Sequence, residues 1–117
     1  MPTVKRSVLY MVLNQLVCVS IPFQERFIIP MESGIKTKTS RNKKYGEVGN
    51  IFINNTHIYQ ITEIERMELG VVAKIYYRQE GFNSPQEFID CWVGLHPREG
   101  FVPNQKVWVH SFKRYYG

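Results

Sequence analysis

The side chains of this sequence whose types and spacing best suit chemistry lie in one short run. Lys36, Lys38, Arg41, Lys43 and Lys44 follow one another with no acidic residue among them. They fill and follow the segment Gly34-Ile35-Lys36-Thr37-Lys38-Thr39-Ser40-Arg41, which reads as the working surface. Closely spaced cations suit an anionic backbone such as RNA, held partly by release of its counterions. The net charge of +5 also points to negatively charged partners. The plain alternative is a solvated lysine-rich loop, and both readings stand at this level.

Other candidates carry less. His57, His96 and His110 are scattered, and none stands at a metal-ligand interval from another ligand type. Cys18 and Cys91 have no CxxC spacing and read as small buried hydrophobes. No metal site is expected, and no cofactor, because there is neither a phosphate loop nor a dinucleotide fingerprint. Tyr115 and Tyr116 follow Lys113 and Arg114. Such a tail can stack on bases or simply cover the end of a barrel. Trp92 and Trp108 are expected to pack in or near the core.

These residues need a scaffold, and 117 residues make one compact domain rather than two. The pattern predicts a short amphipathic helix over 7–16, then a buried strand over 16–23 stopped at Pro22. Residues 26–33 are ambiguous, with Pro30 limiting any helix to the residues after it. The basic loop follows, then a glycine turn at 45–50. Strands at 51–53 and 57–65 are joined across Asn54-Asn55, where asparagine tolerates positive φ. In the second, Ile58, Gln60, Thr62 and Ile64 share one face, and Tyr59, Ile61 and Glu63 share the other. A helix over 69–79 ends at Gly81, with Phe82 folding back onto it. Ser84-Pro85-Gln86-Glu87 starts another, by a capping serine and a proline in the first turn. Its apolar stripe is Phe88, Cys91, Trp92 and Leu95. A last strand over 106–115 alternates Val107, Val109 and Ser111 against Trp108, His110 and Phe112. The fold class is therefore α+β, a small twisted β-barrel with flanking helices.

The N-terminal run superficially resembles a signal peptide, since Lys5 and Arg6 precede an apolar stretch over 7–21. Asn14 and Gln15 interrupt it, no small-x-small site follows, and it is too short to cross a bilayer as a helix. A cytoplasmic protein without membrane contact is expected. The Asn54-Asn55-Thr56 sequon then has no consequence.

In order, the chain carries Gly34-x-Lys36-x-x-Thr39-x-Arg41, a glycine turn into a strand from Gly46 to Ile51, and a strand ending in Glu63-Ile64-Glu65. Next come Glu80-Gly81-Phe82-x-Ser84-x-x-Glu87-Phe88, a helical tryptophan, and Val107-Trp108-Val109-x-x-Phe112. This ordered set resembles the ASCH domain, a relative of the PUA RNA-binding barrels. The likeness spans about residues 17–115, leaving 1–16 as a helical extension before a domain at 17–117. Ser40 and Asn50 depart from the usual pattern, which has an apolar and an acidic residue there.

The resemblance implies a barrel with a cleft lined by the Gly34–Arg41 segment and facing a helix end. RNA or a modified nucleoside is the expected partner, bound through Gly34, Lys38, Arg41, Lys43 and Lys44. Some similar proteins remove the acetyl group from N4-acetylcytidine, and one has been described as a ribonuclease. For such a hydrolase the motif implies Lys36, Thr39 and Glu80 as catalytic residues. Thr39 would supply the nucleophilic hydroxyl, Lys36 would take its proton, and Glu80 would shuttle a proton to the leaving amine or orient Lys36. Arg41 would hold substrate or developing charge. Three classes follow: an RNA-binding module, a small hydrolase, and an interaction domain that dimerises through the N-terminal helix.

Overall fold

The computed structural model describes residues 16–117, so the helix and extension expected over 1–16 lie, but for Leu16, outside the described residues. A short 3-10 turn, Glu25–Phe27, leads into helix α1, Ile28–Glu32. Strand β1 is Lys38–Arg41, β2 is Ile51–Asn54 and β3 is His57–Glu68. Helices α2, Leu69–Ile75, and α3, Pro85–Leu95, precede strand β4, Lys106–Arg114. The strands form one antiparallel sheet in the order β1-β4-β3-β2, curled into a half-barrel beside the helices. The α+β reading therefore holds, with a curled sheet in place of a closed barrel.

The β2–β3 hairpin forms as its asparagines suggest, pairing Asn54 with His57. Asn55 and Thr56 both take positive φ, 49° and 68°, which matches the turn's twist to that of the strands. The expected alternation along β3 holds only at first. Tyr59 and Ile61 are buried together, but a bulge between Ile61 and Glu63 shifts the register. Ile61 and Ile64, which that alternation set on opposite faces, now stand opposite Phe112 and His110 of β4. Phe23, Phe52, Tyr59 and Phe112 form a cluster of stacked and edge-on rings against the sheet.

Four local expectations are corrected. Residues 16–23 make a single parallel bridge, Cys18 to Ile51, rather than a strand. Cys18 is exposed and Cys91 only half-buried, so neither is the buried hydrophobe expected. Helix α1 begins before Pro30, which lies in the first turn, where a helix needs no donor from it. The basic segment is no loop from Lys38 to Arg41, because that stretch pairs along β4, with Thr39 opposite His110 and Arg41 opposite Trp108.

Candidate functional site

One helix end builds the site. After α2 the chain makes a further helical turn and closes on Gly81, whose φ is +100°. The N–H of Gly81 donates to the Arg78 carbonyl and that of Phe82 to the Tyr77 carbonyl, the paired bonds of a left-handed helix stop. Such an end leaves carbonyls without partners, and the approach to β1 supplies them. The Thr37 and Lys38 N–H groups both donate to the Gln79 carbonyl, at 2.8 and 3.0 Å. Lys36 Nζ donates to the Glu80 carbonyl at 2.6 Å and to the Lys38 carbonyl at 2.8 Å. Residues 44 positions apart are thereby locked together.

The lysine is only 3% exposed. Its Nζ lies 4.5 Å from the Phe27 ring centroid and 3.8 Å from Glu80 Oε1. Burial outweighs the attraction of Glu80 and, with Arg41 nearby, holds its pKa down to about 8. The Glu80 carboxylate accepts from Ser40 Oγ at 2.7 Å through its other oxygen. Arg41 Nε donates to Thr39 Oγ1 at 3.0 Å, so the threonine's own proton remains to be given elsewhere. The guanidinium also donates to the Pro22 carbonyl at 2.6 Å and lies 5.0 Å from the Phe23 ring centroid. Burial lowers its pKa too.

These groups meet in a cleft of about 670 Å³. Lys36, Thr39, Ser40, Arg41 and Glu80 line it, with Lys43. The remaining wall is mostly aromatic: Phe23, Phe27, Tyr45, Phe82, Phe88 and Trp92. Helix α3 contributes its share because Ser84 caps it, accepting from the Glu87 N–H. Its first turn thus starts where Phe88 and Trp92 fall inward.

The expected residues divide. Lys36, Thr39, Arg41, Lys43 and Glu80 share the cleft. Gly34, with φ +79°, lies on a smaller pocket elsewhere. Lys38 donates to Ser111 Oγ at 2.7 Å, and Lys44 pairs with Glu47 at 2.8 Å. Ser40 and the aromatic wall were not assigned any role from sequence. Ser40 stood out only as a polar residue where an apolar one is usual, and its bond to Glu80 explains it.

His110 is fully buried and holds the β1 side of the cleft. Its Nε2 accepts from the Tyr45 N–H at 3.0 Å, while Nδ1 lies 3.2 Å from the Thr39 carbonyl. Burial lowers its pKa, in keeping with a neutral ring that accepts at one nitrogen and donates at the other. Among the described residues no three His, Cys, Asp or Glu are placed to hold a metal, and no helix is long and apolar enough to cross a membrane.

No family model and no curated protein matches this sequence. Solved structures do resemble it. The ASCH domain from Lactobacillus crispatus JV V101 aligns with a TM-score of 0.69 at 14% identity, over 87% of this chain and 80% of that one. The hypothetical protein PH0355 aligns at 0.62 and 14% identity, over 86% and 97%. Protein EF3133 from Enterococcus faecalis V583 aligns at 0.57 and 21% identity, over 76% and 69%. The molecule is thus a small α+β domain. Its fold is that of the ASCH-domain structure.

Proposed function

We propose that the cleft takes one nucleoside, free or at an RNA end, and hydrolyses an acyl amide on its exocyclic amine. The observation that carries this reading is the buried Lys36, with a pKa near 8, in the same cleft as Thr39 and Glu80. A buried amine that is partly neutral near physiological pH suits a general base. The volume of about 670 Å³ and the aromatic side chains suit a stacked base with its sugar.

In the reaction, Thr39 Oγ1 adds to the acyl carbonyl carbon and passes its proton to neutral Lys36 Nζ. That proton then moves to the departing amine nitrogen as the C–N bond breaks, leaving an acyl-threonine ester. Water hydrolyses the ester, restoring the hydroxyl and releasing the acid. Arg41, already donating to Thr39 Oγ1, steadies the oxygen as its proton leaves. Ser40 fixes the Glu80 carboxylate, which keeps the proton within reach of Lys36.

N4-Acetylcytidine is the first substrate to try, with cytidine release followed by chromatography. Thr39→Ala and Lys36→Met are expected to lose at least about 100-fold in kcat/KM while keeping the native circular dichroism. No release by the native protein would sink the reaction for this substrate.

A second reading has its own observation: the Lys36 ammonium donates to two main-chain carbonyls, the work of a structural cation. On that reading the cleft binds a nucleobase of RNA without turnover. Binding that survives Thr39→Ala, with no product formed, would favour it.

A further inference from the structure

A second pocket, of about 280 Å³, shares only Lys36 with the cleft. It is lined by Tyr59, Phe112, Lys113 and Arg114 from the sheet and by Glu32 to Gly34 at the end of α1, and its residues do not include Thr39, Arg41 or Glu80. Tyr59 and Arg114 are direct partners in the β3–β4 register, so their side chains share a face.

Both carry a buried donor left unsatisfied. Tyr59 is 1% exposed, yet its hydroxyl has no hydrogen-bond partner among the described residues, and the same is true of Arg114 Nε. An unmet buried donor is costly, and a phenylalanine would fill the same ring position without that cost. The ring of Tyr59 is already held by Phe52 and Phe112, with centroids 5.5 and 5.6 Å away. The hydroxyl adds nothing to that packing.

The charges around these donors are mostly positive. Lys113 and Arg114 line the pocket, and the Arg114 guanidinium is held 5.2 Å from the Tyr116 ring centroid. Glu32 is the one carboxylate of the lining, and one of its two oxygens is already engaged. Its Oε1 accepts from Asn55 Nδ2 at 3.1 Å and lies 3.3 Å from His57 Nδ1. Lys36 also borders the pocket, but its ammonium is bonded to the Lys38 and Glu80 carbonyls.

We infer that this pocket is an anion site for a phosphate group, held by Tyr59 Oη and Arg114 Nε. Two buried, unpaired donors on one face of the sheet fit the oxygens of a phosphate. The phosphate arrives either as the free ion or as the terminal phosphate of an oligonucleotide. The inference stands apart from the hydrolase reading, since it concerns a different cavity.

The test is thermal unfolding in inorganic phosphate against chloride of equal ionic strength, on the native protein, Tyr59→Phe, Arg114→Gln and Thr39→Ala. Native and Thr39→Ala are expected to gain about 4–8 °C in phosphate, and the two pocket variants about 1 °C or less. Tyr59→Phe alone, in chloride, is expected to melt no lower than native. A second arm titrates 5′-phosphorylated and unphosphorylated trinucleotides. A preference of about tenfold for the phosphorylated one, lost in Tyr59→Phe, assigns the phosphate to RNA; equal affinities with a retained phosphate shift assign it to the free ion. Equal shifts in all four proteins, or none in the native protein, would overturn the site, leaving water to meet both donors.

Discussion

Lys36 is the residue whose environment decides what its chemistry can be. An exposed lysine stays charged to about pH 10.5, whereas burial against Phe27 holds this one to about 8. Burial is the largest influence, Glu80 opposes it and Arg41 assists it. The folded pKa lies below the unfolded one, so between about pH 8 and 10.5 the unfolded chain holds a proton that the folded chain has lost. Unfolding then takes up a proton, and stability rises with pH through that window. A drop of this size corresponds to about 3 kcal/mol. Urea unfolding of native protein and Lys36→Met should therefore diverge by about that much, in favour of native, between pH 7 and 10.5. A difference that stays flat across the window would mean the lysine titrates normally. Turnover, on the hydrolase reading, should climb with the same midpoint near pH 8, because only the neutral amine accepts the threonine proton.

The element that places this lysine is the helical turn ending at Gly81. A side chain there is strained by φ +100°, and a Cβ would lie 3.3 Å from Lys36 Cδ and 3.4 Å from Phe27 Cδ1. Gly81→Ala should destabilise the fold by about 1–3 kcal/mol, measured by urea unfolding. It should also move the Lys36 midpoint, seen in the pH dependence of stability, since the contacts it disturbs are those that bury the amine. A variant that is less stable with an unmoved midpoint would separate the helix stop from the lysine. That stop was legible in the sequence as a glycine followed by phenylalanine, and the Asn55 hairpin and the Ser84 cap were equally legible, because each depends on neighbours in the chain. The strand character of 38–41 was not. Five cations in a short run read as a solvated loop, and only pairing with β4, some seventy positions on, reveals an edge strand with Thr39 and Ser40 buried.

At the scale of the whole molecule, the ordered motifs carried the fold further than any local pattern did, since their sequence order follows the strand and helix order of the half-barrel. What they left out is which side of β1 each cation takes. Side chains alternate along a strand, so Lys38 turns to Ser111 while Thr39 and Arg41 share the face of His110 and Trp108. The net charge of +5 is therefore unevenly available to a polyanion. Lys43 lines the cleft, Lys44 is paired with Glu47, and Lys38 is half-buried against Tyr76, 4.6 Å from its ring centroid. Each phosphate contact released by salt contributes about 0.7 to the slope of log K against log salt for a single strand. With a short single-stranded RNA followed by fluorescence anisotropy across salt, Lys43→Ala should lower the slope by about that amount. Lys38→Ala should leave it unchanged, although sequence alone ranks the two lysines together. Equal losses from both would place the RNA along the whole basic run, and the cleft would cease to be its entrance.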